Sequence, residues 1–469
     1  LNVKPIVPTR AEGSWRLRLR IVLAVLVVAG GVSVAGDVFT YGKTGAIASP
    51  IDFTAFYCGG ATLGAGADPY LVEPMRACQH AAYASSGVGM ARNLVVPAPL
   101  PPYALGFFSL LAHLPFRVAS ALWALSIVAL GGAIAWMTGR FVGSRSNWIA
   151  LGTFGAVVAP SFGIGQLAPL AIAGACFAAL ALRERRYVAA VGGFAVAALE
   201  PHLIAPAVAA ALVWQARARG PVAALIVGLG ALTLACGGLA RNVEYATRVL
   251  PLHAREGLQF TAQYSLTAVL SALGASDRVA LTSGVISYAF TFLTGVVVGG
   301  LAARRYRDDA LLVFVPCSFG VIGGSFIHAH QLAIALPLAL YFALRSSGAA
   351  RVALAAAAVA LALPWDNFSE GVLQGLLPAW QPEWKPVVAI ARAGDPHAFA
   401  EVPWQIWKRA LSTRDHRTIL EQFVWKMPSW IALLVTAAAA LQAAFGSESA
   451  DQVSSRASRS TARVSTTRS

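Results

Sequence analysis

Residues 117–139 read RVASALWALSIVALGGAIAWMTG, with one charge, Arg117, at the head and Arg140 directly after the end. About 20 apolar residues cross a ~30 Å hydrocarbon core as a helix, so this stretch is a membrane span. The composition extends that reading to the whole chain. Hydrophobic residues make up 57% of the 469 residues and charged residues 12%, with a mean hydropathy of +0.64. A soluble domain of this length has no use for so much apolar surface.

Working outward from this span, further apolar runs at 21–38, 147–162, 167–182, 188–200, 202–214, 221–239, 279–303, 310–326, 331–345, 352–364 and 429–445 predict an all-α polytopic membrane protein with about 12 transmembrane helices. Several runs are short. At 1.5 Å per residue, a segment of about 13 residues covers only ~20 Å, so tilted and broken helices are expected. Segment 101–115 is read as dipping into the outer leaflet, because a full crossing there would place Arg183 to Arg186 outside. The run from Ile21 to Ala35 continues as a span without a clean cleavage pattern and reads as a signal anchor.

The formal charge of +15 raises the question of nucleic acid, but the cations lie in short clusters between apolar runs. Arg10, Arg16, Arg18 and Arg20 precede the first span. Arg140 with Arg145, then Arg183, Arg185 and Arg186, then Arg217 and Arg219, and later Arg304, Arg305 and Arg307 cap hairpins. Basic residues gather on the cytoplasmic side of spans, so the pattern is topological and no nucleic-acid partner is expected. It divides the chain into a cytoplasmic segment 1–20, a transmembrane domain 21–446 with outer loops at about 40–99 and 364–428, and a tail 447–469. The tail, rich in Ser, Thr and Arg, is expected to be disordered, cytoplasmic and weakly drawn to anionic membrane lipids.

With every basic cluster inside, the polar motifs collect at the opposite face. Asp52-Phe53, Gly165-Gln166, Glu200-Pro201-His202, Gln263-Tyr264-Ser265 and His328-Ala329-His330 all fall at outer turns. Polar groups at membrane depth are costly unless paired or wet, which argues for a shared cavity. Asp52 opens a stretch that continues Phe56-Tyr57, Gly59-Gly60, Asp68-Pro69-Tyr70 and Pro101-Pro102-Tyr103. It reads as an active-site loop carrying a base. The outer segment after Pro364 holds Trp365, Trp380, Trp384, Trp404, Trp407 and Trp425. Tryptophan favours the membrane interface, so interfacial helices are expected there, with anchoring or sugar stacking as their role.

Other chemistry is poorly supported. His328 and His330 stand at i and i+2, which point to different faces of a helix, so a zinc site is rejected. Cys58 and Cys78 share one outer segment and could form a disulfide, whereas Cys176, Cys236 and Cys317 sit in apolar spans as packing residues. Neither a Walker motif nor a dinucleotide fingerprint is present, so nucleotide-sugar use is not expected.

Taken together, Asp52-Phe53 with Phe56-Tyr57, Gly60 and Asp68-Pro69-Tyr70, then Pro101-Pro102 with Leu105, Leu114-Pro115, Ala121 and Trp123, then Gly165-Gln166, then Pro201 with Pro206, resemble glycosyltransferase family 87 over roughly residues 50–345. The resemblance rests on order and spacing, since no single piece is specific. It implies the GT-C fold and a polyprenyl-phosphate-sugar-dependent transferase that adds mannose or arabinofuranose outside the cytoplasmic membrane. The donor is then a lipid-linked sugar and the acceptor a glycolipid or glycan. The location implied is the bacterial inner membrane, multi-pass, with the active site facing the periplasm or outside.

By the same resemblance Asp52 is the general base and transfer inverts the anomeric carbon, with His328 or His330 as the counterpart of the family's late outer histidine. Candidates for substrate binding are Phe53, Tyr57, Asp68, Tyr103, Gln166, Glu200, His202 and Gln263. A departing lipid phosphate needs cations or donors, for which His328, His330, Arg241, Arg255, Lys385 and Arg392 are candidates. No cofactor is called for. Metal dependence stays open, since Asp52, Asp68 and Glu73 could meet a divalent cation, although monophosphate lipid donors need not use one.

Two departures stand out. Glu200-Pro201 occupies the place where family members commonly have Lys-Pro, and Leu167-Ala168 replaces the Asn that often follows the Gly-Gln pair. A competing class is the secondary transporter, with Glu200 beside Pro201 as a proton-coupling site, although the halves show no internal repeat. A glycan ligase or polymerase of the same broad fold differs only in its donor.

Overall fold

The computed structural model describes residues 50–86, 95–256, 258, 263–363, 365 and 419–446. Segment 1–20, the span 21–38, the tail 447–469, most of the loop 364–428 with Trp380, Trp384, Trp404 and Trp407, and Lys385 and Arg392 lie outside the described residues, as does the side chain of Trp425.

The described residues are helical, with a single isolated bridge pairing Gln263 and His328. The architecture is all-α and polytopic, as its sequence predicts. Among the described residues four helices, Phe116–Val142, Ala216–Arg255, Asp277–Tyr306 and Lys426–Phe445, are long and apolar enough to cross a membrane by length and composition. Val227, Phe290, Leu293 and Leu434 on these helices are exposed, an apolar surface suited to lipid rather than water. Eight shorter apolar helices accompany them among the described residues.

In chain order the elements at the start are α1 (Ile51–Gly64), α2 (Val72–Ser86) and α3 (Pro102–Leu111), followed by α4 (Phe116–Val142) and α5 (Asn147–Phe162). Next come α6 (Ala168–Arg183), α7 (Tyr187–Ala197), α8 (Pro201–Trp214) and α9 (Arg219–Glu244). After a π turn follow α10 (Leu250–Glu256), α11 (Leu266–Ala272), α12 (Asp277–Tyr306) and α13 (Leu311–Gly323). The chain closes with a 3-10 turn (Ala329–Ala335), α14 (Leu336–Arg345), α15 (Gly348–Ala362) and α16 (Ile419–Phe445). Eleven of the twelve predicted runs therefore fall on helices. Segment 101–115 becomes the ten-residue α3, ~15 Å long at 1.5 Å per residue and too short to cross. The run 331–345 is not one α-helix, since its first part is the 3-10 turn.

The active-site loop expected around Asp52 is instead a helix. Pro50 precedes α1 with extended backbone, and Asp52 stands in the first turn, where an acid complements the helix dipole. The Cys58–Cys78 disulfide joins α1 to α2. An aromatic cluster of Phe53, Phe56, Phe108, Phe116 and Trp123 fastens α1 to α3 and α4. Gly60 allows the α1–α3 approach, because a Cβ there would lie 2.4 Å from the Phe108 carbonyl carbon.

One end of the bundle is basic. There Arg183 pairs with Asp308 at 2.6 Å and Arg140 with Glu184 at 3.1 Å, Gln215 donates to Asp309, and Arg305 donates to the Gly446 carbonyl. The chain leaves this end through α7, whose 11 residues rise only ~16 Å, and through α13, whose 13 residues rise ~20 Å. Both are much shorter than the 27-residue α4 and the 30-residue α12. Glu200-Pro201-His202 follows α7 and His328-Ala329-His330 follows α13, at the ends away from the basic clusters.

Candidate active site

The turn between α5 and α6 meets the start of α1. Gly165 has φ 75, and a Cβ on it would lie 2.6 Å from the Phe53 Cβ and 2.9 Å from the Pro50 Cβ. Glycine meets both demands, a left-handed backbone and close approach. The Ile164 carbonyl accepts from the Asp52 N–H at 2.9 Å, and the Trp123 indole donates to the Gly165 carbonyl at 3.0 Å. The Phe53 ring stacks on Trp123 with centroids 5.5 Å apart. Held this way, the Gln166 side-chain amide donates to the Asp52 carboxylate.

Burial pushes the Asp52 carboxyl up to about 7, with the Gln166 hydrogen bond pulling in the opposite direction. Desolvation disfavours the charged form, and here it outweighs one donor. A carboxylate that titrates near neutrality suits proton transfer at neutral pH.

A second group forms where α7 breaks into α8 and α13 gives way to the 3-10 turn. The Gln331 amide nitrogen lies 2.9 Å from a Glu200 carboxylate oxygen and 3.0 Å from His202 Nε2. Its carbonyl oxygen accepts from the His328 N–H at 3.0 Å. The His328 and His330 rings stack, 5.3 Å apart. Gln263 bridges to His328, the Tyr264 N–H donates to the Ile327 carbonyl at 2.7 Å, and Ser265 donates to the Gln263 side chain at 2.9 Å. Lys426, buried near the start of the last span, donates to the Gln263 carbonyl. In the turn outside both helices, burial pushes Glu200 up to about 7 against the Gln331 hydrogen bond. Burial, then the neighbouring His330, His253, His202 and Lys426, hold His328 well below its usual range, so its imidazole is neutral.

The remaining predicted residues have structural partners. Phe53 is fully buried in the aromatic cluster, the Tyr57 hydroxyl donates to the Leu114 carbonyl at 2.8 Å, and Asp68 accepts the Tyr70 N–H at 2.8 Å as a turn cap. The Tyr103 hydroxyl donates to the Ala198 carbonyl, tying α3 to the α7–α8 break. Arg241 donates to the Gly66 carbonyl at 2.7 Å and Arg255 pairs with Asp277 at 3.3 Å. Among the described residues no group of three or more His, Cys, Asp or Glu side chains is placed to hold a metal ion.

Residues 100–323 match the model of glycosyltransferase family 87. The match supports the family read from the chain's motifs and, with it, the functional class: this is a glycosyltransferase, acting between a sugar donor and an acceptor. The family 87 region takes in Tyr103, Trp123, Gln166, Glu200, His202 and Gln263, whereas Asp52 precedes it and His328, His330 and Lys426 follow it. Comparisons with curated proteins and with solved structures gave no match.

Sequence reasoning missed Gln331 and Lys426. Gln331 directly follows the His328-Ala329-His330 pair and could have been included with it. Lys426 reads in sequence as an ordinary flanking cation of the last span, and only its burial against Gln263 distinguishes it.

Proposed function

We propose that the protein is an inverting glycosyltransferase that moves a sugar, mannose or arabinofuranose, from a polyprenyl-phosphate donor to a hydroxyl of a glycolipid or glycan at the outer face of the cytoplasmic membrane. The observation that carries this reading is Asp52, a carboxylate that burial brings to about 7 beside the Gly165-Gln166 turn. In the reaction, the acceptor oxygen forms a bond to the anomeric carbon as the bond from that carbon to the phosphate oxygen breaks. The bonding electrons leave with the lipid phosphate, and the acceptor proton passes to Asp52. Attack opposite the leaving group inverts the centre. General-base assistance of this kind contributes ~10²–10⁴-fold.

The positive-inside rule supports an outward-facing site, because the Arg140, Arg183 and Arg305 end is then cytoplasmic. The Cys58–Cys78 disulfide beside Asp52 supports the same orientation, since disulfides persist in oxidising compartments. Polar turns at the end away from the basic clusters also suit a donor whose phosphate lies at the membrane interface while its chain stays in lipid. Purified protein incubated with labelled polyprenyl-phosphate mannose or arabinofuranose and a membrane glycolipid extract is expected to transfer the sugar. Transfer only from polyprenyl-diphosphate glycans would overturn this reading in favour of a ligase or polymerase.

A second reading, a secondary transporter, draws on Glu200 and His202 at the break between two apolar helices. Proton-coupled solute uptake by proteoliposomes, without sugar transfer, would favour it.

A further inference from the structure

We propose that Gln331 is a positioning residue: it holds His202 as the neutral tautomer protonated at Nδ1, and that N–H donates to an oxygen of the sugar substrate. The inference rests on the glycosyl-transfer reading above and adds a hydrogen-bond donor to it. Gln331 is buried, at 4% exposure, as is Glu200 at 6%. A glutamine side chain has one acceptor oxygen and two N–H donors, and here all three are engaged. The oxygen accepts the His328 backbone N–H at 3.0 Å. The nitrogen lies 2.9 Å from the Glu200 carboxylate and 3.0 Å from His202 Nε2.

The backbone contact decides which way the amide points. A flipped amide would set its NH2 group against the His328 N–H, donor against donor, whatever the protonation of Glu200. With the nitrogen facing Glu200 and His202, both partners must accept. His202 Nε2 therefore carries no proton, and a neutral imidazole then carries it on Nδ1. An imidazolium, with an N–H on both nitrogens, does not fit beside two donors. His202 is half-buried, and its Nδ1 has no hydrogen-bond partner among the described residues. The Tyr288 hydroxyl donates to the His202 carbonyl at 2.6 Å and the Tyr103 hydroxyl to the Ala198 carbonyl. The α7–α8 break is thus held from two sides without Gln331, whose amide nitrogen adds the choice of tautomer.

The test exchanges the amide and the carboxylate in the double variant Glu200→Gln, Gln331→Glu. The carboxylate at position 331 still accepts the His328 N–H and accepts from the amide at position 200, but it now needs a donor from His202, which moves the imidazole proton to Nε2. Nitrogen NMR of isotope-labelled histidines in the detergent-purified full chain, with His202 assigned by the signals lost in His202→Asn, is expected to show Nδ1 protonated in wild type and Nε2 protonated in the double variant. Turnover of the double variant should fall ~5- to 150-fold, the range for leaving a polar partner unsatisfied, with a melting temperature near that of wild type. His202→Asn keeps an N–H near the Nδ1 position and His202→Gln puts it near Nε2, so the first should retain more transfer than the second. A bare Nδ1 in a wild type that transfers sugar overturns this proposal alone, as does a reversed tautomer with full turnover. If the double variant does not fold, the two His202 variants decide, and equal or reversed activities overturn the proposal. Failure of wild type to transfer sugar overturns the glycosyl-transfer reading and this one together.

Discussion

The side-chain amide of Gln166 donates a hydrogen bond to the carboxylate of Asp52, 114 residues earlier in the chain. It does so because Gly165 lets the α5–α6 turn touch the start of α1. The pair sets opposing effects on one acid, burial raising its titration range and the amide lowering it. The expected behaviour of the protein around neutral pH follows from that opposition.

Asp52→Asn should fold and lose transfer by ~10²–10⁴-fold, since the amide keeps the shape and gives up the basicity. Asp68→Asn should retain most activity, because Asp68 accepts the Tyr70 N–H in a turn and an amide oxygen can do the same. Initial rates of the two purified variants decide the assignment, and equal losses would contradict it.

Transfer should rise with pH through about 7 and level off above it, because only ionised Asp52 accepts the proton. Gln166→Leu removes a donor to the charged form and should move that rise upward by ~1 unit. The stability effect has the opposite sense. The folded chain holds this proton more tightly than the unfolded chain, so the Asp52 contribution weakens as pH climbs from about 4 to 7. Asp52→Asn should therefore melt above wild type at pH 8, a difference that shrinks at pH 4.

Gly165→Ala combines a left-handed backbone with a Cβ 2.6 Å from that of Phe53. Overpacking of this kind costs ~1–3 kcal/mol. The expected result is a lower melting temperature together with reduced turnover, since the same turn carries Gln166. Gly132, where an added Cβ meets nothing within 4 Å, is the control, and Gly132→Ala should behave as wild type in both measurements.

Single cysteines introduced at Arg186 and at Ala329 should label from opposite sides of the membrane, with the second reached from outside. The half-buried Cys236 is first replaced by Ser, while Cys176 and Cys317 are buried. Labelling of both positions from the same side would refute the orientation.

Much of this architecture was legible in the sequence. The apolar run 117–139, the repeated runs beyond it and the Arg clusters between them determined an all-α membrane protein, because hydrocarbon length and charge placement act on local stretches of chain. Order and spacing of short motifs pointed to the family 87 resemblance. The loop expected around Asp52 proved to be a helix, since Pro50 and a favourable first turn are a local signal that the glycines and turn residues further on obscured.

Tertiary structure alone decided which polar residues face one another. That Phe53 belongs to the aromatic core and that Gln166 serves Asp52 depends on α1, α4 and the α5–α6 turn meeting. That Gln331 joins Glu200, His202 and His328, and that Lys426 reaches Gln263, depends on three chain breaks converging beside α16. Periodicity and composition report what a segment buries. They carry no information about which distant hydrogen-bond partner relieves the cost of burying a polar group, because that partner is supplied by packing between elements far apart in the chain.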